Sequence, residues 1–375
     1  MSSNFEDIIK SDEVKNYFVQ SAILIDVDGA SLNNWGSDAT NTQGMDNTSA
    51  VKKVFKNGKM YAIVAGQAWR YWWRETLGLN GWSLSPITRD KKVAYTEANP
   101  LVYADDDIFG YMRASKDEAR DEEGNIILTG GKGKNKDKPK MVDVTVTRVS
   151  PLKNSILSSV TPIKLINEFS TMARQDDDAV PYEKQSYSTV LKGMFSLDLD
   201  QVGTFTKINR SGFKNVTDTT YDKVLETGTE VDDLINPNIK RARLEKSIRV
   251  QRAKDTILAL KTIAGGAKRT TNYVSVKPDF IILAALKGGN NIFDNIAVEE
   301  DGRATLSIKA LKEAIEDNKE YLRSDIYIGK AEGFMDDKSP SIIKSEIDID
   351  GITIHVDSIN KTIDAFTKTL DTVII

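Results

Sequence analysis

Residues 61–77, YAIVAGQAWRYWWRETL, change character halfway along. YAIVA is the apolar end of a strand, and from Gly66 onward the residues take a helical period. Gln67, Arg70, Tyr71 and Arg74 fall at i, i+3, i+4 and i+7 and share one helix face, while Trp69, Trp72 and Trp73 fall on others. Gly78 supplies a stop. Upstream, residues 20–28 (QSAILIDVD) predict a buried strand, and GASLNNWGSDATNTQGMDNTS, rich in Gly, Asn, Ser, Thr and Asp, predicts a long loop.

Downstream, the pattern loosens from about residue 80 to 140, where Ser85-Pro86, Asn99-Pro100 and GGKGKNKDKPK suggest an insertion. MVDVTVTRV (141–149) and STVLKGMFSLDL (188–199) alternate as strands, and the stretch between them predicts a long β-hairpin arm. Residues 240–263, KRARLEKSIRVQRAKDTILALKTI, predict a helix that Gly265-Gly266 end. DFIILAAL after Pro278 predicts a buried strand, 306–323 an amphipathic helix, and 342–357 a hairpin turning at Asp350-Gly351. Strand, helix, strand, strand, helix, strand is a ferredoxin-like β-α-β-β-α-β plan, hence an α+β fold.

Composition narrows the function. At 375 residues, with 40% apolar and 28% charged, the chain can bury a core of one or two domains. It has no cysteine and one histidine, His355, which argues against disulfides, thiolate metal sites, a histidine zinc site and most Ser-His-Asp hydrolases. No run resembles a membrane span, and the polar, acidic start MSSNFEDIIKSDEVK does not read as a signal peptide, so a cytoplasmic location without membrane contact is expected. No cofactor and no metal are expected.

The net charge of −4 hides segregation. Ten Lys/Arg and only Glu245 and Asp255 lie between Lys240 and Arg269, and Lys132, Lys134, Lys136, Lys138 and Lys140 form a second cluster. Acidic runs sit elsewhere, at Asp105–Asp107, Asp176–Asp178 and Glu299–Asp301. A basic face on an acidic body can bind a polyanion locally; solvated surface is the alternative for any one run. The Arg70/Arg74 stripe, opening after Gly66, can meet phosphates through guanidinium groups and helix-terminal amides, or pair with nearby acids. The turn IAGGAKRTTNY offers bare amides with Lys268 and Arg269, or a simple helix cap followed by a basic turn. LIDVDG (24–29) resembles the first motif of the haloacid-dehalogenase phosphatases, which would make Asp26 a nucleophile and Asp28 its partner at a magnesium ion. A strand running into an acidic turn is the alternative.

AGQAWRYWWRETL, preceded by SLNNWGSD, resembles the first-helix signature of the backbone subunit of type I CRISPR effector complexes, Cas family seven, and within it the DevR/Cst branch of type I-B. SPLKNSILSS (150–159), FSLDLDQVGTF (195–205) and AGGAKRTTNYVSVKPDFII (264–282) follow in the family's order. The resemblance implies a modified RRM-like palm with an inserted finger region and a long β-hairpin thumb. Residues 1–79 would give the first palm strand and helix, 80–140 the finger-like insertion, 141–200 the central palm strands with the thumb near 152–187, and 201–375 the rest of the palm. It implies a non-catalytic subunit whose partners are guide RNA (crRNA), the target DNA strand through guide pairing, copies of itself head to tail, and other Cascade subunits. Carried over by motif, Gln67, Arg70 and Arg74 would contact guide phosphates. Asn33, Asn34 and Gly36 would line the same groove, flanked by Gly265, Gly266, Lys268 and Arg269. Phe169, Met172 and Arg174 would sit at the thumb tip. The family's helix has Ser two positions before the Gln, where this chain has Ala65, so one hydroxyl contact to phosphate is lost. Related type III backbones cleave RNA with a loop Asp, and Asp38 lies in the corresponding loop. The rival functions are therefore a magnesium-dependent phosphohydrolase using Asp26 and Asp28, and an RNA-cleaving backbone using Asp38.

Overall fold

The computed structural model describes residues 11, 14–37, 48–121, 123–129, 138–172, 180–209 and 214–375. In chain order the first elements are β1 (Tyr17–Ala30), β2 (Asn34–Ser37), β3 (Thr48–Val51), β4 (Lys53–Lys56), β5 (Lys59–Val64) and α1 (Gly66–Leu79). Next come β6 (Thr88–Asp90), β7 (Val93–Tyr95), α2 (Ala104–Phe109), β8 (Tyr111–Glu118), β9 (Met141–Arg148), β10 (Leu152–Asn154), β11 (Leu157–Ser159), β12 (Ile166–Met172) and β13 (Val180–Asp198). They are followed by β14 (Thr204–Phe205), α3 (Asp218–Thr227), β15 (Thr229–Asp232), β16 (Lys240–Arg243), α4 (Lys246–Leu258) and β17 (Phe280–Lys287). The chain closes with β18 (Ala297–Glu300), β19 (Arg303–Leu306), α5 (Ile308–Asn318), β20 (Ile326–Lys330), α6 (Pro340–Glu346), β21 (Ile354–Asp357) and α7 (Ile359–Val373).

The fold is mixed α+β, built on a 12-stranded sheet whose main path runs β21-β20-β17-β1-β13-β11-β5-β4. β1 lies antiparallel to both β13 and β17, and β13 antiparallel to β11. The sheet is covered on both faces, which is why its central strands are continuous apolar runs. Val19, Ile23 and Ile25 of β1 and Ile281, Leu283 and Ala285 of β17 pack with Trp69, Trp72 and Trp73 of α1, Ala253 and Ile257 of α4, and Phe366 of α7. The alternate residues, Ala22 and Leu24 of β1 with Phe280, Ile282 and Ala284 of β17, pack against Leu311 and Ile315 of α5 and Ile343 of α6. Burying each such large side chain contributes about 1.5–3 kcal/mol.

Several sequence expectations change. The 141–149 strand forms as β9, but it pairs with β8 in a separate two-stranded ribbon, and the position beside β13 is taken by β10 and β11. Residues 152–159, expected in the thumb, therefore belong to the central sheet. The hairpin arm itself is β12 against β13, in register from Ile166↔Ser186 to Met172↔Val180. Residues 240–243 are strand β16 between β14 and β15, and the helix begins at Lys246. α1 runs past Gly78 to Leu79, because Leu84 fills the space of the missing side chain: a Cβ on Gly78 would lie 2.7 Å from Leu84 Cδ1. In place of the 342–357 hairpin there is α6 and then β21, which pairs parallel to β20. Among the described residues no helix is long and apolar enough to cross a membrane.

Candidate nucleic-acid interface

The segregated charges of the sequence meet inside the molecule. Asp105, Asp106 and Asp107, an exposed run by composition, are all buried on α2. Asp107 accepts from Arg148, from Arg252 Nη1 at 2.6 Å and from the Gly203 amide at 2.9 Å. Asp200 accepts from Arg241 Nη1 at 2.6 Å and from Arg243. Arg249 donates to the carbonyls of Val202 and Leu199, each at 2.9 Å; burial first, then Arg243 beside it, lowers its pKa to about 10. Lys254 and Lys261 pair with Asp371 and Asp364 of α7, each at 2.7 Å. Arg241, Arg243, Arg249 and Arg252 are thus an internal clamp, while Lys254 and Lys261 are held in partly solvated pairs along α7.

Arg70 and Arg74, expected as phosphate contacts, follow the same rule in this structure and have internal partners. Arg70 Nη1 donates to Leu152 O (2.7 Å) and Asn154 Oδ1 (2.8 Å), and Nη2 donates to Phe109 O (3.1 Å) and Ser150 Oγ (2.8 Å). Four of its five N–H groups have internal acceptors, the guanidinium lies over the Phe109 ring, and burial holds its pKa below the ordinary arginine value. Arg74 Nε donates to Asp105 Oδ2 at 2.8 Å and Nη2 to Ser85 O at 2.8 Å. The stripe ties α1 to the segments at 105–109 and 150–154.

The other flank of α1 gathers the remaining predicted residues. Trp72, about 200° around the helix from Arg70, receives the glycine turn: a Cβ on Gly265 would lie 2.0 Å from Trp72 Cγ. Gly266, at φ +99°, presses on Leu32, where a Cβ would lie 2.6 Å from Leu32 Cδ2, and the Ala267 amide donates to Leu32 O at 3.0 Å. One residue on, Asn33 Oδ1 accepts from the Ala65 amide at 3.1 Å, at the opening of α1, which has no side-chain cap. Asn34 Oδ1 accepts from Ser31 Oγ at 3.3 Å, and Gly36 pairs with Ala50 on β2–β3. Gln67 is exposed in the first turn of α1, and Arg269 is exposed beside Lys268. Asn33, Asn34, Gly265, Gly266, Lys268 and the α1 N-terminus therefore form one corner.

Two residues missed by sequence reasoning complete it. Asn272 Nδ2 donates to Gly29 O at 2.8 Å, and Lys184 of β13 reaches Asn272 Oδ1 at 3.5 Å and Glu168 of β12 at 2.7 Å. Lys268 has a lowered pKa, from partial burial first and then from the nearby Lys184 ammonium. The period-2 alternation of 180–198 was the available signal for Lys184, since it carries the side chain to one known face of the hairpin. The corner offers helix-terminal amides, amide side chains and closely spaced ammonium groups, a combination that binds phosphate without reading bases.

Of the thumb residues, Phe169 is exposed on β12 opposite Glu183, Met172 is the last residue of β12, and Arg174 lies outside the described residues. The rival sites are less organised. Asp26 donates its amide to Asp279 Oδ2 at 2.8 Å, and Asp28 accepts from Ser188 Oγ. Burial first, then Asp28, raises the Asp26 pKa; Asp279 is raised by burial and by Asp26. Among the described residues no three His, Cys, Asp or Glu side chains converge as metal ligands. Asp38 lies outside the described residues.

No family profile and no curated protein sequence matches the chain. Chains from two solved structures are similar to it, each at 11% identity over 94% of this chain. One is from a "CRISPR RNA-guided surveillance complex" (99% of that chain, TM-score 0.47) and the other from a "CRISPR RNA-guided surveillance complex, pre-nicking" (100% of that chain, TM-score 0.48).

Proposed function

We propose that this chain is a non-catalytic, guide-RNA-binding backbone subunit of a type I CRISPR surveillance complex, of the DevR/Cst branch of type I-B. The observation that carries the reading is the corner itself: the 31–34 segment held between the uncapped opening of α1 and the 264–272 turn, with Lys184 and Lys268 beside it. The order β17-β1-β13-β11, with α1 and α4 on one face, supports a ferredoxin-like palm, and the β12–β13 hairpin supports a thumb. The ordered motifs at 150–159, 195–205 and 264–282 support the family. In this role the corner grips the guide backbone, leaves the bases for pairing with target DNA, and repeats along the guide as copies stack head to tail in the cytoplasm.

The test is binding of mixed-sequence single-stranded RNA across a salt series. Changing Lys184, Lys268 and Arg269 together to Ala lowers the slope of log K against log salt by about 2, at roughly 0.7 per phosphate contact. Arg70→Ala leaves that slope unchanged, because its guanidinium is internal. An unaltered slope in the triple variant removes the corner as the RNA site.

A further inference from the structure

The β4–β5 hairpin starts at this corner, and none of the contacts above uses it. Its base is tied to the corner by the Lys52 amide donating to Asn33 O at 2.9 Å and the Ile63 amide donating to Lys52 O at 3.0 Å. β4 ends the main path of the sheet, and the turn at its tip, Asn57-Gly58, has both residues at positive φ, 52° and 73°. Phe55 pairs in register with Met60, and Lys56 with Lys59. From Asn47 to Arg74 the chain has four lysines, two arginines and no acid. Lys59, exposed, lies 3.9 Å from Glu299, a contact of little energy.

Lysines on an edge strand discourage strand addition, which accounts for Lys56 and Lys59. It does not account for Phe55, 68% exposed at the tip of the ribbon with Val54 at 39% beside it. An aromatic ring on an acid-free basic ribbon fits a base stacked on its face and a backbone drawn past the lysines. Phe55 lies level with Met60, five residues before Ala65, so about 16 Å of strand separates it from the opening of α1. At about 3.4 Å per stacked nucleotide that distance is on the order of five nucleotides.

We propose that the β4–β5 hairpin is a second contact for the same single-stranded RNA, with Phe55 stacking on a base and Lys56 and Lys59 meeting phosphates as the strand leaves the corner. The proposal rests on the RNA-binding reading of the corner, and its test separates the two. With full-length protein and a mixed-sequence RNA of about 20 nucleotides, Phe55→Ala weakens binding about 5- to 150-fold at an unchanged salt slope, and Phe55→Trp retains binding. Lys56→Ala with Lys59→Ala lowers the slope by about 1.4. With a probe of about four nucleotides, which the corner alone can hold, Phe55→Ala has no effect. Unchanged affinity of Phe55→Ala for the long RNA, with the Lys184/Lys268/Arg269 variant still impaired, overturns the hairpin and leaves the corner. Phe55→Ala that binds RNA normally but sediments as a smaller assembly makes the occupant a protein and also overturns it. Loss in Phe55→Ala with no loss in the corner variant removes the corner, and with it the hairpin's place as a second contact.

Discussion

Asp107→Asn tests whether the buried ion-pair knot holds the fold. The wild-type carboxylate is 0% exposed and faces Arg148 with one oxygen, and Arg252 and the Gly203 amide with the other. It joins α2, β9 and α4 to the turn before β14. Asparagine keeps one acceptor oxygen and turns an NH2 toward a donor, so one side of the knot becomes donor against donor. Both guanidinium groups stay buried, without the charge that offset their desolvation. Two charge-assisted bonds at about 1.5–3 kcal/mol each set the scale, and removing one partner of a buried pair costs about 3–5 kcal/mol. That is a large share of a stability on the order of 5–15 kcal/mol. Urea unfolding followed by tryptophan fluorescence reads it, because Trp69, Trp72 and Trp73 are all buried in the same core as α4. Lys254→Ala, on the same helix, is the control: its pair with Asp371 is partly solvated, and its loss costs less than about 1 kcal/mol. In a double-mutant cycle, Asp107→Asn and Arg252→Gln couple by more than about 1 kcal/mol. If Asp107→Asn and Lys254→Ala destabilise equally, to within about 0.5 kcal/mol, the knot is not what holds these segments together.

Gly265→Ala places a Cβ 2.0 Å from Trp72 Cγ, so the 264–269 turn must shift. The fold survives at a cost of about 1–3 kcal/mol, while RNA affinity falls by at least about tenfold, or 1.4 kcal/mol; Gly289→Ala, whose Cβ would lie 3.4 Å from Phe18, binds normally in the same titration. Asp106→Asn tests the pH dependence. Burial raises the Asp106 pKa above 3.8, so its contribution to stability is fully present below that value and is lost as pH rises through the folded-state pKa. The Asn variant therefore melts higher than wild type at pH 7, and the gap in melting temperature closes as pH falls toward 3.8; a gap that does not vary with pH refutes the assignment.

What the sequence made legible was local. QSAILIDVD and DFIILAAL announce β1 and β17 because a strand covered on both faces is an unbroken apolar run. The turn AGGAKRTTNY announces a close backbone approach because only glycine permits one, although its immediate neighbours are Trp72 and Leu32. What stayed hidden depends on partners far along the chain. Lys240–Arg243 carries helix-forming residues, yet Arg241 and Arg243 reach Asp200 about forty positions earlier, and the segment is drawn out as a strand. Arg70 looks like a free charge on a helix face until Leu152, Asn154 and Ser150 arrive from eighty or more residues away. The strand period gives Lys184 its face of the hairpin, but only the register of β12 against β13 and the path of the 264–279 turn bring it to Asn272 at the corner.

The two kinds of cation divide the work in a way that lets an acidic chain carry the proposed polyanion site. Arginine's planar fork can satisfy several acceptors at once, so Arg70 and Arg249 serve as internal clamps on backbone carbonyls, and Arg148 and Arg252 as clamps on Asp107. Lysine is a point charge that needs no fixed geometry, and Lys184 and Lys268 remain at the corner beside an exposed Arg269. Burial first, and then the Lys184 ammonium beside it, disfavour the charge of Lys268. Glu168 offsets part of it from one side. A phosphate entering between the helix opening and the glycine turn would supply the missing counter-charge, so binding and the protonation of Lys268 favour each other.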